Sequence, residues 1–374
     1  MAAPRLLYFV TEDWYFCSHR LPLAVAARVA GYEVTVVTRV RAHADVIRSA
    51  GLRLVPFEMA RRGKNPFREL AHVWQLVRIY RSLCPDVVHH VAMKPVLYGT
   101  IAARIARVPH IVNALAGFGF VFSSRDLYAR LLRPAIRAML RRVLRCGAVI
   151  VQNPDDAAMV RDLGISDKCV HTIRGSGVDL ERFRPGPEAD GVPVVVFAAR
   201  MLHDKGVNEF VAAARMLRAA GVQARFVLVG DTDPGNPSAV STERLTEWKH
   251  EMVVEWWGRR EDMPVVFAGC HIVCLPSYYR EGLPKVLIEA AACGRPIVTT
   301  DVTGCRETVR HGENGLLVPP RDAVALANAL RLLIENQDMR QRMGQRGREI
   351  AETEFSVENV IRETLAVYRG FLPG

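Results

Sequence analysis

The chain alternates strand-like and helix-like segments along almost its whole length, and the alternation breaks once, near the middle, before restarting. The apolar run RLLYFV is followed by a helical stretch over 19–30, the run YEVTVVTRV, a loop, LRLVPF, and a helix over roughly 66–82. Then come DVVHH, the helical PVLYGTIAARIA, HIVNAL, an arginine-rich helix and GAVIVQN. Residues 174–193, RGSGVDLERFRPGPEADGVP, concentrate Gly, Pro and charge and read as a linker. Beyond them the pattern resumes: VVVFAAR, a helix over 206–220, ARFVLVGD, a helix around 239–250, VVEWWG, and a helix near 262–269. HIVCLPS, a helix over 284–293, RPIVTTD, NGLLVPP and a long helical tail complete it. Strands separated by helices imply βαβ crossovers, hence parallel sheets with helices on both faces. The fold expected is α/β, with two doubly wound parallel-sheet domains facing a central cleft: 1–178, a linker at 179–193, and 194–358, with 359–374 as a helix packing back on the first domain. The 374 residues suffice for two domains of ordinary size.

Half the residues are hydrophobic and 24% are charged, as in a water-soluble globular protein. No apolar run reaches the roughly 18 residues of a membrane-spanning helix. The N-terminal apolar run is broken by Glu12 and Asp13, unlike a secretory signal. Eight cysteines are scattered through apolar segments and read as reduced, buried thiols, which fits a cytoplasmic location. The net charge of +11 favours acidic partners. It concentrates in residues 128–145, where six arginines and no acid accompany apolar residues at helical spacing, interrupted by Pro134. Such a helix has either a solvated basic face or one that lies on anionic lipid headgroups. No nucleic-acid-binding signature is present.

Ligands of such sheets bind beyond the carboxyl ends of strands, so the loops there are the informative ones. After the first strand no glycine lies between Val10 and Gly31, which argues against a dinucleotide fingerprint. In the second half, VVVFAAR ends in Arg200, with Lys205 five residues on, a guanidinium fork and a point charge suited to a diphosphate. HIVCLPS leads into REGLPKVLIEA, residues 280–290, where Pro284 and Lys285 open a helix. Pro is at home in a first helical turn, but a cation opposes the helix dipole there, a conflict that a bound anion removes. Lys285 and Glu289, four residues apart, also have the spacing of an ordinary surface pair.

From 256 to 322 the chain contains Gly258, Asp262, LPSYYREGLPKVLIEAAACGRPIVTTDVTGCRETV and ENGLLVPPRD. These motifs, with RMLHDKG at 200–206, LVGD at 228–231 and RGSGVDLERFRP at 174–185, resemble the retaining glycosyltransferases of family four, which have the GT-B architecture of two Rossmann-like domains. EDWYFCSHRLPLA, HHVAMKPVLYG, VNALAGFGFVF and GDTDPGNP are similar to the bacterial branch that extends undecaprenyl-diphosphate-linked sugars, in particular N-acetylgalactosaminyltransferases acting on lipid-linked diacetylbacillosamine. The resemblance implies a UDP-sugar donor, a polyprenyl-diphosphate-linked acceptor, and attachment to the inner face of the cytoplasmic membrane through 128–145. It implies that Glu281 hydrogen-bonds donor-sugar hydroxyls and that Glu289 accepts from the ribose hydroxyls. Arg200 and Lys205 would hold the diphosphate beside the loop Gly282, Leu283, Pro284 and Lys285, and Trp257, Gly258 and Arg259 would receive the nucleobase.

The chain departs from the broader family in two loops. A glycine-rich loop is replaced by Asp13–His19, and a T-x-H-G histidine by the segment Asn113 to Gly117. Candidate acceptor contacts are His19, His89, His90, Asn113 and Gly117, with Arg62 and Lys94 for an acceptor diphosphate. Asp231-Thr232-Asp233 spells a D-x-D but reads as a solvated loop, and no metal or other cofactor is expected. A GT-B sugar-nucleotide epimerase, or a non-catalytic sugar-nucleotide or lipid-binding protein, would share the nucleotide grip.

Overall fold

The computed structural model describes residues 2–59, 66–117 and 127–371. They form two compact units, Met1–Gly177 with Val357–Gly374, and Val178–Ser356. The first contains a seven-stranded sheet of β1 (Arg5–Glu12), β2 (Glu33–Arg39), β3 (Arg53–Pro56), β4 (Val87–Val91), β5 (His110–Ala114), β6 (Ala148–Val151) and β7 (Val170–Thr172). The connecting helices are α1 (Asp13–His19), α2 (Leu21–Val29), α3 (Ala44–Ser49), α4 (Pro66–Leu83), α5 (Met93–Ala106), α6 (Leu127–Leu144) and α7 (Pro154–Asp162). The pairs are all parallel, in the order β3-β2-β1-β4-β5-β6-β7.

Alternation along β1 shows how this sheet acquires two cores. Leu6, Tyr8 and Val10 face one layer, with Phe16 and Leu23, while Leu7 and Phe9 face the other, with Leu76 and Tyr80 of α4. A strand covered on both faces reads as an unbroken apolar run, which is how RLLYFV reads.

The second unit repeats the plan with β8 (Val194–Ala198), β9 (Arg225–Val229), β10 (Glu255–Trp256), β11 (Ile272–Leu275), β12 (Ile297–Thr300) and β13 (Gly315–Val318), in the order β10-β9-β8-β11-β12-β13 and again parallel. Its helices are α8 (Val207–Ala219), α9 (Thr242–His250), α10 (Met263–Ala268), α11 (Lys285–Ala292), α12 (Ala323–Glu335) and α13 (Gln337–Glu354). A last helix, α14 (Val357–Arg369), returns to the first unit, where it packs on α2 and buries Tyr368. Both sheets reverse direction between two adjacent strands, β1 with β4 and β8 with β11, and these switch points open the crevices where ligands of such sheets bind.

Several expectations are corrected. The loop expected at 13–19 is the helix α1, and the long tail is three helices: the side chains of Asp322 and Asn336 cap new starts at Ala323 and Gln337 by accepting from the Ala325 and Met339 N–H groups. Residues 179–193, expected as a linker, pack as part of the second unit. Phe183 is in the core, Glu188 pairs with the buried Arg340, and Arg295 donates to the carbonyls of Gly186 and Pro187. The cysteines are all free, but Cys84 is exposed rather than buried. Among the described residues, no helix is long and apolar enough to cross a membrane.

Candidate active site

Strand β8 delivers Arg200 and then a short 3₁₀ turn, His203–Lys205. Gly206 closes the turn with φ +79°, and a Cβ there would lie 2.0 Å from the Pro276 carbonyl oxygen just past β11, so the approach requires glycine. The Asp204 carbonyl then accepts from Ser277 Oγ and Tyr278 N–H, both at 3.1 Å. Those bonds lay the turn against the exit of the neighbouring strand. Lys205 Nζ thereby reaches Glu281 Oε2 at 2.5 Å, with both side chains largely enclosed. The other carboxylate oxygen, Glu281 Oε1, is enclosed and has no partner. A buried acceptor left open is expensive unless a ligand supplies the donor.

Gly304, φ +89°, belongs to the T-D-x-x-G stretch and explains that motif physically. A Cβ there would come within 2.5 Å of the Gly282 carbonyl oxygen and 2.7 Å of that of Glu281. The loop after β12 can therefore lie flat against the Glu281–Gly282 peptide, and the Glu281 N–H donates to the Thr303 carbonyl at 3.3 Å.

Helix α11 opens at Lys285, with Pro284 as its N-cap rather than in its first turn. It has no side-chain cap and no acid in its first turn, so that end stays electropositive. Glu289 is buried one turn on and pairs with Lys285 at 3.3 Å. Burial raises the pKa of Glu289, against the opposing pull of Lys285 and Arg182. Arg182 lies in the stretch expected to be a linker, so this contribution was missed. Gly258, φ +67°, accepts from Gly230 N–H, and Arg259 N–H donates to Asp231 Oδ1 at 3.1 Å. Leu283 is buried.

The D-x-D lies in a partly exposed loop, as expected, but both of its carboxylates are engaged. Asp231 fixes the Arg259 backbone, and Asp233 pairs with Arg200 Nη1 at 2.7 Å. Among the described residues, no group of three His, Cys, Asp or Glu side chains is placed to hold a metal ion.

The first-unit candidates are less exposed than expected. His90 is fully buried, bonded through Nδ1 to Asn113 Oδ1 (2.9 Å) and through Nε2 to Tyr80 OH (3.1 Å). Burial pushes its pKa down to about 4, against the Asn113 hydrogen bond. Gly99 makes room for it, since a Cβ there would lie 2.5 Å from the imidazole. Asn113 Oδ1 also accepts from Thr100, while its Nδ2 is enclosed without a partner. His89 is buried as well, with Nδ1 bonded to Tyr368 OH. His19 stacks on Tyr15 at 4.1 Å and bonds its carbonyl. Lys94 is paired with Glu69 at 3.2 Å, and Gly117 takes a positive φ of 93°. Arg62 lies outside the described residues.

Two doubly wound units, one with cations and carboxylates gathered at its switch point and at an open helix end, define a GT-B enzyme class that handles activated sugars. The chain belongs to the group 1 glycosyltransferases: residues 179–350 match the family described as "Glycosyl transferases group 1", and residues 5–153 match "Glycosyl transferase 4-like". It is 30% identical to the N,N'-diacetylbacillosaminyl-diphospho-undecaprenol alpha-1,3-N-acetylgalactosaminyltransferase of Campylobacter jejuni, over 86% of this chain and 87% of that one. It is 26% identical to the UDP-Gal:alpha-D-GlcNAc-diphosphoundecaprenol alpha-1,3-galactosyltransferase of Escherichia coli, over 68% of each. The crystal structure of Anabaena Alr3699/HepE in complex with UDP and glucose shares the fold, with a TM-score of 0.75 at 21% identity, covering 97% of this chain and 99% of that one.

Proposed function

We propose that this glycosyltransferase moves a hexose or N-acetylhexosamine, with N-acetylgalactosamine as the first choice, from a UDP-sugar to a polyprenyl-diphosphate-linked saccharide, with retention of anomeric configuration. The observation that carries the reading is the Lys205–Glu281 pair with its open Glu281 Oε1, set beside the uncapped start of α11. In this reading Glu281 accepts a hydrogen bond from a donor-sugar hydroxyl. Glu289, when ionised, accepts from both ribose hydroxyls. Arg200, Lys205 and the first-turn N–H groups of α11 stabilise the departing diphosphate as the sugar acquires oxocarbenium character. Asp231 and Asp233 are already engaged by Arg259 and Arg200, and the cations neutralise the phosphates, so transfer proceeds without a divalent metal. Activity lost in EDTA and restored by Mg²⁺ or Mn²⁺ would contradict this.

The names of the Campylobacter and Escherichia relatives, both of which act on undecaprenol-linked diphosphates, support the acceptor class. Such an acceptor lies at a bilayer surface, and the reading accordingly has the enzyme working peripherally on the inner face of the cytoplasmic membrane. Helix α6 supports that placement: Leu140, Val143 and Leu144 face the core while Arg137, Arg141, Arg142 and Arg145 are exposed. On α4, Phe67, Leu70 and Trp74 are 82, 57 and 51% exposed along one face, an apolar stripe of the kind that enters a lipid interface. Vesicle binding indifferent to both anionic lipid and salt would remove the membrane part. The decisive experiment presents a panel of UDP- and GDP-sugars with a defined polyprenyl-diphosphate sugar and reads the product by mass spectrometry and its anomeric configuration by NMR. A lipid product one N-acetylhexosamine heavier, formed only from the UDP donor, is expected. Free sugar released without lipid extension, or no turnover at all, would defeat the proposal.

A further inference from the structure

A buried guanidinium needs acceptors, because an enclosed charge without them costs several kcal/mol. Among the described residues three arginines are buried: Arg20, Arg295 and Arg340. Arg295 donates to four carbonyl oxygens, of Phe267, Gly186, Pro187 and Ala268. Arg340 grips both oxygens of Glu188 and the carbonyls of Leu333 and Ile334. Arg20 is 4% exposed, its Nε is enclosed without a partner, and its side chain makes no hydrogen bond or ion pair with any described residue. The acids closest in sequence are occupied: Glu12 by Arg39, and Asp13 by the N–H groups of Trp14, Arg41 and His43.

Its position is as telling as its isolation. Arg20 is the N-cap of α2, which has no side-chain cap and no acid in its first turn. The preceding strand β1 pairs with β4 at the switch point of the first sheet, setting Tyr8 opposite His89. His89 has a second enclosed orphan, Nε2, while Tyr368 occupies its Nδ1. Burial first, and then the Arg20 charge, hold this imidazole neutral. The same charge bears on Tyr8 and Tyr368, the tyrosine stacked on His89 and the one bonded to it. In the tautomer where Tyr368 donates to Nδ1, the ring proton sits on Nε2 and is a donor without an acceptor. A guanidinium fork, an imidazole N–H and a bare helix start at one strand crossing all call for an anion, and their geometry suits a phosphate.

We propose that Arg20, with His89 Nε2–H and the first turn of α2, forms an anion subsite at the β1/β4 switch point that takes a phosphate of the acceptor diphosphate. The acceptor part of this assignment rests on the proposed function above. The test uses the full chain loaded with saturating UDP, so that the Arg200 and Lys205 grip is filled, and titrates inorganic pyrophosphate by calorimetry. The UDP-loaded wild type binds pyrophosphate. Arg20→Met weakens that binding at least tenfold, Arg20→Lys weakens it less, and UDP affinity is unchanged in both. Pyrophosphate raises the Tm of the wild type and not that of Arg20→Met, whose own Tm without ligand equals or exceeds the wild-type value because an unpaired buried charge is gone. Equal pyrophosphate binding by wild type and Arg20→Met, no binding to the UDP-loaded wild type, or a lower Tm in Arg20→Met overturns the subsite. If Arg20→Met does not fold, Arg20→Lys carries the comparison. With a short-chain prenyl-diphosphate-linked sugar as acceptor, Arg20→Lys raises the acceptor KM about tenfold at similar kcat. An unchanged KM with pyrophosphate binding lost would assign the site to free phosphate and overturn its link to the acceptor. Absence of transfer by the wild type would strike the proposed function while leaving the pyrophosphate titration to judge the site.

Discussion

The two sheets share one strand order through their sixth strand, yet they treat charge at their switch points in opposite ways. At β8/β11 each cation has a carboxylate: Arg200 has Asp233, Lys205 has Glu281, and Lys285 has Glu289. At β1/β4 the nearby acids are turned to other partners and Arg20 is left alone with a neutral histidine. The first arrangement can be stable empty, because a bound diphosphate merely exchanges one anion for another. The second pays a standing desolvation cost that only an incoming anion offsets. A self-neutralised crevice favours turnover and release, whereas a crevice with an open charge favours capture.

The largest expected effect tests the paired side. Lys205→Ala or Arg200→Ala should lower turnover about 10²–10³-fold, by analogy with the loss of one transition-state donor, in initial-rate assays with folding verified by circular dichroism. Near-wild-type turnover in either variant would dissolve the assignment of that crevice. Next is Glu289→Gln, which should raise the KM for the UDP-sugar roughly 10–100-fold, the worth of hydrogen bonds to a charged group. Because the Glu289 pKa is raised, the wild-type KM should climb as pH falls, starting at a higher pH than for an ordinary carboxylate, and the variant should lose that dependence. The folded state holds this proton more tightly than the unfolded chain does. The stability it contributes is therefore present at low pH and lost as pH rises through the raised pKa.

Tyr368→Phe probes the floor of the unpaired side. It removes the hydroxyl shared by Tyr8 and His89, and should cost about 1–3 kcal/mol in urea unfolding while leaving UDP binding intact. The smallest effect sharpens the contrast most directly. Asp233→Asn frees Arg200, and since that pair is half-exposed it should tighten UDP binding by no more than about fivefold, the worth of a surface ion pair, in a calorimetric titration. Weaker binding would mean that Asp233 supports the site rather than merely occupying it.

The strands of both sheets were legible because parallel strands buried on both faces must be continuously apolar, and the residues proposed for the donor site could be named because their motifs are contiguous. What escaped was long-range. Nothing local in DWYFCSH announces a helix whose Asp13 is anchored by the backbone of residues 41 and 43. Asp233 lies 33 residues from the Arg200 it neutralises. His89 looked like a free strand-end histidine because the tyrosine that covers it is 279 residues away. The supposed linker is rich in turn residues, yet it is fastened by Arg295 and Arg340, whose targets no local pattern reveals.

The backbone enters and leaves the second unit at one place. Val178 N–H donates to the Phe355 carbonyl at 2.8 Å, and Val178 bridges to Ser356. The second unit is thus an insertion into the first, with its ends already tied together. That geometry lets a segment be excised, transplanted or circularly permuted without opening its core. The first unit has no such freedom. Its final helix is supplied only after the whole insertion has been synthesised, so on the ribosome the first domain to begin is the last to be completed.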